Sequence, residues 1–142
     1  MTDSQAAYLA ANFEVVSSEI FPTGGFDAVV WKIKRNSALA GPNNADAGKV
    51  FISMRGTQGL QDIADDLFLA SKGLPYQQIA DMVNWWLRST ATTDNTNVKQ
   101  IKVIDLVGRS GYQTFALAQP AAGTGRLQEV SSIAGVNGHS LG

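Results

Sequence analysis

The hydrophobic period of this sequence switches from that of a strand to that of a helix and back, which requires helices packed against a sheet. KVFISMRGT is rich in β-formers and ends on Arg55-Gly56-Thr57. LQDIADDLFLA then sets Leu60, Ile63, Ala64, Leu67 and Phe68 at helical spacing, with Asp62, Asp65 and Asp66 on the other face. After Gly73 and Pro75, YQQIADMVNWWLR gives the strongest helical pattern, with Ile79, Met82, Val83, Trp86 and Leu87 in one apolar stripe. KQIKVIDLV returns to the strand pattern beyond the polar loop STATTDNTN. Strands alternating with helices predict a largely parallel sheet.

The flanking segments extend this plan. SQAAYLA reads as a short opening helix with Ser4 as its N-cap. FEVVSSEIF and FDAVVWKIKR, the latter spanning Phe26 to Arg35, flank Pro22-Thr23-Gly24-Gly25 and predict an antiparallel hairpin. NSALAGPNNADAG is a loop by its Asn, Gly, Pro and Asp content. Gly108-Arg109-Ser110-Gly111 reads as a tight turn into a further strand, YQTFALA. It lacks the glycines and the helix-opening Lys-Ser/Thr of a phosphate loop. PAAGTG is loop, RLQEV fits neither period clearly, and SSIAGVNG runs as an apolar strand towards the last residues. At 142 residues the chain fits one domain.

That last strand leads into Gly138-His139-Ser140-Leu141-Gly142, a G-x-S-x-G pattern. A serine hydroxyl attacks a carbonyl only when it is presented on a strained turn, activated by a base and opposed by donors for the oxyanion. Gly138 and Gly142 suit the first need, since side chains there would crowd the turn and the packing behind it. His139 sits on the elbow and points away from the serine, so it is not read as the base. The backbone N–H of Leu141 is one oxyanion donor. The second belongs to the loop after the third strand, where Gly56 permits close approach and Thr57 offers its N–H and hydroxyl. Losing one such donor costs about 3–4 kcal/mol of transition-state stabilisation.

The pairing of VFISMRGTQGLQDIADDL with a later GHSLG resembles the class 3 lipases, a family of α/β-hydrolases. The resemblance runs from about Lys49 to Asp66 and again from Val136 to Gly142. It implies the N-terminal part of an α/β-hydrolase sheet, mixed and mostly parallel, with an antiparallel N-terminal hairpin. It further implies Ser140 as nucleophile, Thr57 and Leu141 as the oxyanion hole, and Gly138, His139 and Gly142 as the elbow. Asp62 matches the acid that follows Arg-Gly-Thr, although Ile63 stands where an aromatic is frequent. In that family the catalytic Asp and His follow the serine. They are not in this chain, so residues 1–142 are expected to be one partial domain that continues beyond residue 142 and is inactive alone. The implied partners are a lipid or ester substrate and the C-terminal remainder of the domain. Two alternatives stay open: a non-catalytic interaction or scaffold module, and a phospholipase or polyesterase of the same fold.

Composition narrows the remaining classes. Net charge is −1, without basic runs, which argues against nucleic acid as a partner. No apolar stretch is long enough to span a bilayer, so no transmembrane segment is expected. MTDSQAAYLAANF has neither the basic start nor the apolar core of a signal peptide, leaving leaderless secretion and the cytoplasm both open. There is no cysteine and only one histidine, His139. No cofactor and no metal are called for; the aspartates at 62, 65 and 66 read as a solvated helix face. Arg55 reads as structural, pairing with a carboxylate. Trp86 is assigned to packing, while Trp85 is left open as a lining of an acyl pocket.

Overall fold

In a computed structural model the protein is mixed α/β, and residues 1–21, 26–55, 76–109, 111–128, 130 and 133–139 are described. Helix α1 (Asp3–Asn12) leads into β1 (Phe13–Phe21) and β2 (Phe26–Ile33). A loop with one 3-10 turn (Pro42–Asn44) precedes β3 (Val50–Arg55). Helix α2 (Tyr76–Thr90), β4 (Val98–Asp105), β5 (Gln113–Ala121) and β6 (Ile133–His139) follow. The chain divides into two compact units, one built on residues 1–19, 28–54 and 130–139, the other on 20–27, 55–129 and 140–142.

The first unit carries the four-stranded sheet, in the order β1-β2-β3-β6. It combines an antiparallel hairpin with a parallel pair. Ile33 N donates to Lys49 O and Gly48 N to Ile33 O, so the end of β2 meets the start of β3 and those strands run antiparallel. Phe51 lies against Gly135, while Ser53 and Asn137 line one groove further along both strands, which is the sense of a parallel β3/β6 pair. Strand alternation sorts the sheet's two faces. Ala28 and Val30 on β2, with Val50 and Ile52 on β3, are buried, and Val30 and Ile52 are both 0% exposed. Trp31, Phe51 and Ser53 on the opposite face are half-buried. At the entrance, Thr2 rather than Ser4 caps α1: its hydroxyl accepts from Gln5 N while the Gln5 side chain accepts from Thr2 N. The reciprocal box satisfies two free N–H groups at once, and Ser4 stands inside the helix. In the loop, Asn36 and Asn44 hold each other through two hydrogen bonds, and both adopt positive φ, a conformation that Asn tolerates.

The second unit packs α2 on an antiparallel ribbon of β4 and β5, paired from Val98↔Ala121 to Asp105↔Gln113. The expected place of β4 in a mostly parallel sheet is therefore corrected. The segment Leu106 to Tyr112 folds back on itself, with Leu106 N donating to Tyr112 O, and so short a reversal can only join antiparallel strands. Asn84 of α2 bonds both backbone groups of Ile101, its amide donating to Ile101 O and its carbonyl accepting from Ile101 N, each at 2.8 Å. One side chain thus substitutes for a neighbouring strand. The loop after β5 closes the other end of α2. Thr124 N, Gly125 N and Leu127 N donate to the carbonyls of Arg88, Ala91 and Ser89, groups that a helix end leaves without partners.

The apolar stripe expected on α2 is not its buried face. Trp86, assigned to packing from its spacing, is 37% exposed, while Trp85, left open as a pocket lining, is 4% exposed. Gln78, Trp85 and Ser89 are buried along one side, and Trp85 meets Phe26 edge-on with ring centroids 6.0 Å apart. Two of these three residues are polar, so a pattern that counts apolar residues passes over the face.

Candidate functional site

β3 and β6 are adjacent strands of one sheet, and their last residues are Arg55 and His139. In the sequence, Thr57 stands two residues after Arg55, and Ser140 directly after His139. Thr57, Ser140, Leu141 and Gly142 lie outside the described residues, as do Asp62, Asp65 and Asp66 and the helix expected over LQDIADDLFLA. The structure therefore gives the two strands that carry the motifs and leaves the motif residues themselves undescribed.

Arg55 Nη2 donates to Asp27 Oδ2 at 2.8 Å, so the arginine of Arg-Gly-Thr has the carboxylate partner expected of a structural residue. Asp27 is the second residue of β2, and the pair joins neighbouring strands at the end of β3. On β6, Gly138 is extended, and a Cβ there would meet nothing within 4 Å. Crowding among the described residues is thus not the reason for glycine at 138. Gly135, which the sequence reading did not single out, is the tight position: a Cβ would approach Phe51 Cδ1 to 3.1 Å. The signal for it was an isolated glycine in a strand, which marks close approach.

Family models, curated proteins and solved structures return no match to this chain.

The electrostatics of the described residues are quiet. No group of three or more His, Cys, Asp or Glu side chains among them could hold a metal ion. No helix among them is long and apolar enough to cross a membrane. Asp81 on α2 is the titrating group that stands out: burial raises its carboxyl above the usual range, and a hydrogen bond from Gln77 pulls part of the way back. Asp81 Oδ2, both amide atoms of Gln78 and Trp85 Nε1, all on α2, are buried and find no hydrogen-bond partner among the described residues. Nothing in the local pattern marks this group, because each residue reads singly as a surface or core position. Gly108, Arg109 and Gly111 lie in the hairpin turn expected for that motif.

Proposed function

We propose that this chain supplies the nucleophile-bearing part of a serine hydrolase acting on carboxylic esters of lipids, as the resemblance to class 3 lipases implies. The observation that carries the reading is the adjacency of β3 and β6. Arg-Gly-Thr begins at the last residue of β3 and Gly-His-Ser-Leu-Gly in the last two residues of the neighbouring β6, and one acyl-transfer site needs a nucleophile and an oxyanion donor within a few ångströms of the same carbonyl. The parallel sense of the pair supports it further, since β3 and β6 then finish at the same end of the sheet.

In this reading Ser140 attacks the ester carbonyl and Thr57 and Leu141 N–H hold the developing oxyanion. A histidine takes the serine proton and returns it to the leaving alcohol, and water then releases the acid from the acyl-enzyme. His139 is the chain's one histidine and is assigned to the elbow, so the base and its orienting acid are assigned to sequence outside these 142 residues. The Arg55–Asp27 pair holds the strand end that precedes Thr57.

The test is a fluorophosphonate reaction on the natural polypeptide that contains this sequence, read by intact mass and peptide mapping. One phosphonyl adduct on Ser140, lost in Ser140→Ala, is expected. An unmodified Ser140 in a folded protein would overturn the reading in favour of a non-catalytic module.

A further inference from the structure

We propose that the groove on the aromatic face of the sheet binds a neutral amphiphile, an aliphatic chain with one uncharged oxygen at its end, such as a medium-chain alcohol. The groove, partly open to solvent, offers about 370 Å³ and among the described residues is lined by Leu9, Phe13, Trp31, Phe51, Ser53 and Asn137. That is more than twice the ~150 Å³ that holds a benzene ring in a protein interior, and within the usual range for small-molecule sites. None of the six residues has a part in the ester-hydrolase reading, so the proposal does not rest on it.

Three rings form the body of the site. Phe13 packs edge-on against Trp31 and against Phe51, with centroids 6.4 and 6.3 Å apart, so β1, β2 and β3 each contribute one ring. Leu9 of α1 adds an aliphatic wall. The missing side chain at Gly135 leaves room for Phe51 beside β6, and Asn137, two residues further along that strand, also lines the groove. The apolar wall comes from four separate elements, α1 and three strands, and fits a flexible aliphatic body.

The polar end is what selects the headgroup. Trp31 Nε1 donates to Ser53 Oγ at 3.2 Å, which occupies an acceptor position of the hydroxyl and leaves its proton available to a ligand oxygen. Asn137 is exposed and offers both a donor and an acceptor. Among the described residues that line it there is no Lys, Arg, Asp or Glu, and Lys32 and Glu14, next in sequence to Trp31 and Phe13, pair with each other. A carboxylate or ammonium group entering here would give up hydration with no counter-charge among the described lining residues, whereas a hydroxyl or ester oxygen meets matching partners.

The experiment follows the indole N–H resonance of Trp31 in ¹H–¹⁵N spectra of the whole chain, assigned by its loss in Trp31→Phe, during titration with 1-decanol, decanoate or decylamine. A saturable shift with 1-decanol is expected at Trp31 and not at Trp85 or Trp86, with both charged ligands at least about tenfold weaker. Leu9→Trp, which fills the groove, should abolish the shift. Ser53→Ala, which keeps the space and removes the hydroxyl, should weaken binding about fivefold. No shift up to the solubility limit, equal response to all three ligands, or full affinity in Ser53→Ala would overturn the proposal.

Discussion

Arg55 and Asp27 form an ion pair that ties the last residue of β3 to the second residue of β2, with Nη2 and Oδ2 2.8 Å apart. Asp27 is well shielded, at 18% side-chain exposure, but Arg55 is about half exposed, and solvent screens the attraction. Asp27→Asn should therefore lower stability by under about 1 kcal/mol, with the loss shrinking as salt is raised. Denaturant melts at low and high ionic strength check this. A loss of several kcal/mol would mean that the pair behaves as a buried one.

The two tryptophans of α2 should separate sharply. Trp85 is buried against Phe26, so Trp85→Ala leaves a large cavity and should cost about 3–5 kcal/mol. Trp86 is partly exposed, and Trp86→Ala should cost about 1 kcal/mol or less. Urea unfolding of both variants measures the difference, and similar losses would contradict the burial described here.

Gly123 shows how closely the loop after β5 seals the end of α2. Its N–H donates to Asn95 O at 2.8 Å, and a Cβ there would come within 2.2 Å of Thr92 O. The obstacle is backbone, which cannot swing aside as a side chain would. Gly123→Ala should destabilise by about 1–3 kcal/mol and weaken hydrogen-exchange protection at Thr124, Gly125 and Leu127, whose amides bond the carbonyls of Arg88 and Ser89 in the last turn of α2 and of Ala91 just after it. Unchanged protection at those amides would mean that the loop accommodates a methyl group without moving.

Local pattern made most of the described elements legible. The hairpin strands, β3, α2, β4, β5 and β6 follow from period and turn chemistry, because an alternating run or a Gly-Arg-Ser-Gly turn fixes backbone geometry over a few residues. What was not legible depends on partners distant in sequence. The buried side of α2 carries Gln78 and Ser89, whose burial no local pattern signals. β4 looks like a sheet strand until its turn returns the chain onto it. The cap moved from Ser4 to Thr2 because a reciprocal bond with Gln5 decides between two suitable residues. At the candidate site the sequence named the motif residues, and the structure contributes the adjacency of the two strands that lead into them. The Phe51–Gly135 contact needed the register of β3 against β6.

Asp81 makes stability depend on pH with a definite sign. Burial raises its folded-state value above the ordinary carboxyl value of 3.8, so the folded chain holds a proton over a range where the unfolded chain has released it. Stability from this group is then fully present below the unfolded value and is lost as pH rises through the folded one. Asp81→Asn stays neutral throughout. Wild type and variant should melt alike at pH 3, and the variant should gain on the wild type as pH rises towards neutrality. Gln78→Met, in contrast, replaces two buried atoms that have no hydrogen-bond partner among the described residues with a side chain of similar length, and should stabilise by about 1 kcal/mol at every pH. Thermal midpoints of the three proteins between pH 3 and 7 separate the effects. An Asp81→Asn difference that is flat with pH would mean that this carboxyl titrates alike in both states.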